Sequence, residues 1–310
     1  IYQIESGSIP VDDELKDVYL SELRVLRASY YYYLCDLYGS VPIVTEFDVP
    51  EGYLPEQHSR EEVYNFIVTE ITESLPHLSE DRNTSTYARF NNKWAAYALL
   101  ARMYLNAEVY NGTPEWEKAI EASDAIINSG HFSLEPQQRN VFVANNENSS
   151  EIVWAVPYDE VYGTVGFNIA QRSMTQQNQF TFNTRYDGWG GLVSIPQYID
   201  TFHPEDERYQ QNWMKGQQFT AGGDTLYVQT GSMAGEPLFY VNELPSIDSS
   251  QEVHSFRVNK WEIEAGTSSM NNDFPVFRYA GILLTKAESL LRLGQHDAAA
   301  ELVTEVRMRN

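Results

Sequence analysis

Residues 275–294 read "PVFRYAGILLTKAESLLRLG", and residues 295–310 continue "QHDAAAELVTEVRMRN". Apolar side chains recur at three- and four-residue spacing in both stretches, the period of an amphipathic helix. Gly294 makes the turn between them. Ala287 marks a close contact on the first helix and Ala299 lets the second approach it, the small-residue logic of a tetratricopeptide-type hairpin.

The same logic recurs upstream. "AAYALLARMYL" (95–105) carries Ala98, Ala101 and Tyr104 on one helix, and "EWEKAIEASDAII" (115–127) carries Ala119 on the next. Before them, "DDELKDVYLSELRVLRASYYYYLCDLYG" (12–39) opens with acids suited to a helix N-terminus and stops at Gly39. "SREEVYNFIVTEITESL" (59–75) has Ser59 and Glu62 at capping-box spacing and ends before Pro76. A single helix is predicted from Asn91 to Asn111-Gly112, and another with Thr113 as its cap and Pro114 at its first position. Consecutive helical residues step by about 100°, so Tyr30 to Tyr33 sweep round the axis and read as scaffold rather than a ligand platform.

Between these helices and the last pair the chain changes character. It is rich in Gly, Asn, Gln, Ser and aromatics, with strand-like pieces only at "EIVWAVPY" (151–158), "DTLYVQT" (224–230), "PLFYV" (237–241) and "HSFRVNKWEI" (254–263). The expected architecture is therefore mainly α. Residues 1–150 form a tetratricopeptide-like helical-pair scaffold, 151–275 a large loop-rich ligand-binding insertion containing short strands, and 276–310 a helical hairpin that rejoins the scaffold. Long loops on a rigid scaffold are where binding residues gather.

Composition narrows the function. With 310 residues, 42% hydrophobic and 13% aromatic, the chain has ample core-forming material. A formal charge of −23 argues against nucleic acid and against electrostatic docking on anionic lipid heads. No apolar run reaches the length needed to cross a bilayer, and no basic-then-apolar leader opens at Ile1. The single cysteine, Cys35, lies in the tyrosine-rich helix and reads as a small buried residue. His58, His77, His131, His203, His254 and His296 form no zinc-binding spacing, so no metal or cofactor is expected. No nucleophile elbow or phosphate loop is present. "HPEDER" (203–208) lacks the alternating ligands and glycine bend of a calcium loop and reads as a charged turn.

The informative polar stretch is "NTRYDGWGGL" (183–192). Trp189 stands between glycines, which are too small to bury an indole and allow a ligand close to the backbone. Its ring offers an apolar face to the C–H face of a sugar, while Arg185 and Asp187 offer hydrogen bonds to hydroxyls. Trp189, Tyr186 and Asp187 are the expected ligand contacts, with Arg185 beside them. Arg257 joins them because "FRVNK" leaves a strand-like segment near the loop-rich half. Trp213 and Trp261 are expected in the core.

Several stretches, in order, resemble one family. "LRVLRASYYYYLCDLYGSVPIV" (23–44) is similar to the "RAxxYxxLxxxYGxVPLV" segment of the SusD/RagB proteins. "RFNNKWAAYALLARMYLNA" and "AIEASDAIINSGHFSL" resemble that family's alanine-rich pair, "VFVANNENSSEIVWAVPY" its following strand, and "FPVFRYAGILLTKAESLLRLG" its terminal "RYADILLMYAEAL" helix. Gly281 departs from the family's acidic residue there. Thr304 and Asn310 depart from "NxVRxRAG". The resemblance implies a SusD-like fold and a non-catalytic outer-membrane lipoprotein that captures oligosaccharides. It further implies a partner, a SusC-like TonB-dependent transporter over which the protein sits as a lid. The anchor would lie outside this sequence, which reads as an interior portion of a longer chain. Peptide binding within the same family, an α-helical glycoside hydrolase and a purely structural repeat adaptor are the alternatives.

Overall fold

The computed structural model describes residues 1–82, 92–159 and 166–309. The predicted helix start at Asn91 and the departure at Asn310 lie outside the described residues. In chain order the helices are α1 (Tyr2–Glu5), α2 (Asp13–Tyr38), α3 (Arg60–Ser74), α4 (Lys93–Leu105), α5 (Ala107–Asn111), α6 (Trp116–Asn128), α7 (Ile169–Ser173), α8 (Asn178–Phe182), α9 (Pro196–Ile199), α10 (Glu207–Gln211), α11 (Tyr279–Arg292) and α12 (His296–Met308). The strands are short: β1 (Val41–Pro42), β2 (Gln57–His58), β3 (Ile152–Val156), β4 (Trp213–Met214), β5 (Gly216–Gln217), β6 (Phe239–Tyr240), β7 (Arg257–Val258) and β8 (Phe274–Arg278). They pair only in twos, β1 with β2, β3 with β8, β4 with β7 and β5 with β6. The fold is mainly helical.

The chain divides into two compact units. The first comprises Ile1–Leu134, Ser150–Ala155 and Pro275–Arg309. Here α2 packs on α3, α4 on α6, and α11 on both α6 and α12. Nine side chains of α4 are buried, four of them alanines, so neighbouring backbones can approach closely. Asn92 caps α4 by accepting the Ala95 amide at 3.1 Å. The Ser59–Glu62 capping box forms in both directions. Arg24 and Arg27 of α2 grip the buried Glu70 of α3, at 2.8 and 2.7 Å from their Nε atoms. Lys286 of α11 meets Asp124 of α6 at 2.5 Å. Cys35 is fully buried, and burial pushes its thiol up to about 11, so it stays protonated and inert near neutrality.

Two helix boundaries differ from expectation. The stretch after Asn92 breaks at Asn106, whose side-chain amide turns back to the Arg102 carbonyl at 2.9 Å, leaving α5 as a separate short helix. The next helix begins at Trp116 with Glu115 in the cap position, not at Thr113-Pro114. The Thr113 amide is already taken by the Asn111 side chain at 2.7 Å, which holds this turn out of the helix.

The second unit comprises Glu135–Ser149 and Val156–Phe274. Its helices run only four or five residues, so repeating backbone ladders cannot satisfy its polar backbone. Buried amide side chains do so instead. Asn146 donates to the Val141 and Asp273 carbonyls and accepts the Asp273 amide at 2.8 Å. Asn272 donates to the Phe142 and Glu262 carbonyls. Around them Trp261 packs edge-on to Phe142 and Phe167 and stacks on Phe274. Trp261 is therefore core, whereas Trp213 is only half-buried. The stretch 224–230 forms isolated bridges, Phe219 to Thr225 and Tyr227 to Pro237, rather than the predicted strand.

Candidate functional site

Within the second unit, three segments enclose a cleft of about 570 Å³, within the ordinary range for a small-molecule site. It is lined by Thr175 and Gln176, by Asp187 to Gly190 with Val193 (the Trp189 wall), and by Ser250 to Glu252 with His254 (the second wall). Arg257 lies beneath both.

The Trp189 wall is held as a strand is held, without being one. Amides of Trp189, Gly190 and Leu192 donate to the carbonyls of Gln171, Met174 and Arg172, at 2.6, 2.8 and 2.7 Å. Gly188 makes this possible. A Cβ there would stand 2.1 Å from the Met174 carbonyl oxygen and 2.5 Å from that of Thr175. The expectation that these glycines admit a ligand is corrected at Gly188, which admits the neighbouring backbone. Trp189 itself is 57% exposed, with the Arg172 guanidinium 5.8 Å from its ring centre. That cation lies over the indole, which keeps more than half of its surface exposed.

Arg257 ties the two walls together. It is 3% exposed and donates to the Gly190 carbonyl at 3.2 Å and the Glu252 carbonyl at 2.9 Å. Its guanidinium lies 5.4 Å from the Tyr240 ring centre. The Tyr240 hydroxyl in turn is fixed by Thr175 and Asn178, at 2.9 and 2.6 Å. Burial lowers the Arg257 pKa from its ordinary value, opposed by Tyr240 and Glu252. Its Nε is buried with no hydrogen-bond partner among the described residues. Two residues upstream, Ser255 takes the left-handed region at φ 66°, strain in the short segment that carries both His254 and Arg257.

Of the five residues expected at the site, Asp187, Trp189 and Arg257 line the cleft. Tyr186 does not. Alternation along the loop turns it inward, to 7% exposure, and burial pushes its hydroxyl up to about 12. Arg185 is exposed outside the cleft, its amide bound to the Thr267 carbonyl. The opposite wall was not anticipated. Glu252 accepts from Gln177 at 3.0 Å, and His254 Nδ1 accepts the Gln251 amide at 2.8 Å, placing the proton of a neutral ring on Nε2. Nothing in the spacing of "SSQEVH" marks these residues. Only the Gln- and Ser-rich composition of the loop hints at them. The lining thus combines one exposed aromatic face with short polar arms. Among the described residues no group of three or more His, Cys, Asp or Glu is placed to hold a metal ion. No described helix is long and apolar enough to cross a membrane.

The profile of the SusD family matches residues 150–310, and a second, described as starch-binding associating with outer membrane, matches residues 6–105. The chain is 26% identical over 327 residues to the starch-binding protein SusD of Bacteroides thetaiotaomicron, covering 93% of this chain and 57% of that protein. It spans little more than half the length of such relatives. In three dimensions it matches a SusD superfamily protein of Parabacteroides distasonis with a TM-score of 0.77 at 19% identity, over 99% of this chain and 63% of that one. It also matches surface glycan-binding protein A of Bacteroides thetaiotaomicron, solved in complex with laminarihexaose, with a TM-score of 0.71 at 19% identity, over 96% of this chain and 63% of the other. SusD and surface glycan-binding protein A are named as binding proteins rather than enzymes.

Proposed function

The chain belongs to the SusD family, and from that premise we propose that it captures oligosaccharides in the Trp189 cleft without cleaving them. The observation that carries this is an exposed indole on the rim of a polar cleft, backed on one face by Arg172. A sugar ring stacks its C–H face on the open side, and its hydroxyls reach Asp187, Gln176, Gln251 and Glu252. Aromatic contacts of this kind contribute about 1 kcal/mol beyond burial. Such a site is weak enough to release what it captures. Tyr186 and Arg185 act through the loop's shape, and Arg257 positions both walls.

In the whole protein, capture is followed by delivery to a SusC-like TonB-dependent transporter, over which this protein sits as a lid. The protein is held at the cell surface by a lipid anchor on the outer membrane. Family membership and the outer-membrane wording of the second matching family support this part.

Isothermal titration of the protein with starch- and laminarin-derived oligosaccharides tests capture. Binding is expected, with Trp189→Ala weakening it roughly tenfold, the scale of one or two stacking contacts. Unimpaired binding by Trp189→Ala moves the site elsewhere. Shorter sugars appearing on incubation would make the protein a hydrolase. Co-purification of the full-length protein with its transporter tests delivery.

A further inference from the structure

The side chains of the cleft carry information about ligand charge. Two carboxylates, Asp187 and Glu252, line the cleft from separate segments of the chain. Each retains acceptor capacity. Asp187 receives one long bond from Gln176 at 3.4 Å, and Glu252 receives Gln177 at 3.0 Å and Thr230 at 3.5 Å. A carboxylate only accepts, so its natural partner is a hydroxyl that donates.

The cations do not balance them toward a ligand. Among the described residues Arg257 is the one Arg or Lys in the lining, and it is 3% exposed with both terminal nitrogens committed to Gly190 and Glu252 carbonyls. Arg172 is exposed and outside the lining, lying over the Trp189 ring with its Nε on Asn168 at 2.8 Å. His254 offers Nε2 as a donor, its Nδ1 accepting the Gln251 amide. Gln176, Gln251, Ser250 and Thr175 are uncharged. The whole chain, at −23, adds a repulsive background.

Resting on the capture reading above, we propose that this cleft selects uncharged oligosaccharides and rejects their uronate and sulfated counterparts. A neutral sugar gives each carboxylate a hydroxyl donor and stacks on Trp189. An acidic sugar replaces a donor with a second anion and, among the described residues, finds no free guanidinium or ammonium in the cleft lining to pair it. The penalty is electrostatic and therefore screened by salt. It amounts to roughly three- to tenfold in affinity at low ionic strength for charges several ångströms apart near the surface.

The test is a glycan array carrying neutral, uronate-containing and sulfated oligosaccharides, probed with the protein and with Trp189→Ala at low and high salt. Binding that Trp189→Ala removes is expected to fall on neutral members. Titration of a bound neutral oligosaccharide against its C6-oxidised uronate form should give at least a threefold gap at low salt, narrowing at high salt and in Asp187→Asn. An acidic glycan that binds as well as its neutral counterpart through Trp189 overturns this inference and leaves capture standing. So does acidic binding that weakens as salt is added. A protein that binds no member of the array overturns capture, and this inference with it.

Discussion

Aromatic rings are exposed in two settings in this molecule, on helix α2 and on the Trp189 loop. Tyr30 and Tyr33 are 64% and 44% exposed, comparable to Trp189 at 57%. On α2 the exposure follows from geometry, because four consecutive tyrosines step round the helix and only some can face inward. Tyr31 is buried and Tyr32 is half-buried against the core. The Tyr31 ring meets Phe66 edge-on at 5.0 Å and its hydroxyl accepts the Val44 amide at 2.9 Å. Trp189 is exposed because glycines on both sides leave nothing large enough to cover it, and polar arms surround it. Exposure alone does not distinguish a binding ring from a scaffold ring. The groups that converge around it do.

Truncating the inward ring should give the largest stability effect. Tyr31→Ala removes a buried ring and leaves the Val44 amide without its acceptor, a loss of about 3–5 kcal/mol in urea unfolding. Oligosaccharide affinity of the folded fraction should not change. An effect on affinity would break the division between scaffold and site. Trp189→Ala should do the reverse, changing stability by about 0.5 kcal/mol or less, as for a surface substitution.

Gly188→Ala comes next, because the added methyl meets backbone rather than a movable side chain. The wall must shift away from Met174 and Thr175, at a cost of about 1–3 kcal/mol, typical of overpacking. Since the same shift displaces Trp189, sugar binding should fall by more than about tenfold. Intact binding with lowered stability would show that the indole does not depend on this close approach.

The two units also differed in how much their sequences disclosed. The helical pairs were legible because buried alanines and apolar spacing repeat, and the Ser59–Glu62 box fixes an end. The Thr113 cap does not form because the Asn111 side chain binds the Thr113 amide in a local turn, which periodicity does not register. In the second unit, order comes from single side chains satisfying distant backbone, as Asn146 does across to Asp273. Such pairings leave no periodic trace. For that reason the Trp189 wall was found from its glycines, while Gln251, Glu252 and His254 were not found at all. Arg257, expected as a ligand contact, lines the cleft and also ties its two walls through the Gly190 and Glu252 carbonyls.

Asp273 sharpens this contrast, since it is a titratable group inside the amide-stitched core. Burial raises its carboxyl above the ordinary range, and the Tyr158 amide offsets this only in part. The folded state then binds its proton more tightly than the unfolded chain. The associated stability is fully present below about 3.8, the ordinary value, and is lost as pH rises through the raised folded value. Asp273→Asn keeps an oxygen for Tyr158 and removes the titration. Relative to the parent, it should gain stability as pH rises from 3.5 to 7 in denaturant melts. A shrinking advantage would mean that the carboxylate is favoured by its surroundings.

The smallest effect should lie in the helical unit, where a departure from family pattern sits in an otherwise regular element. Gly281 occupies the third position of α11, and a Cβ there would meet nothing within 4 Å. Its φ is not among the positive ones, so alanine fits the existing backbone. Gly281→Ala should therefore stabilise the protein by roughly 0.5–1 kcal/mol, chiefly by restricting the unfolded chain. Gly281→Asp should approach that gain despite aspartate's poorer propensity, because a negative charge in the first turn interacts with the helix dipole by about 0.3–1 kcal/mol. The matching change at Gly188 destabilises. Opposite signs for one substitution at the two glycines would follow from their surroundings alone, open space over a helix against a carbonyl 2.1 Å away. Destabilisation at both would mean that α11 needs its glycine for a contact beyond the described residues.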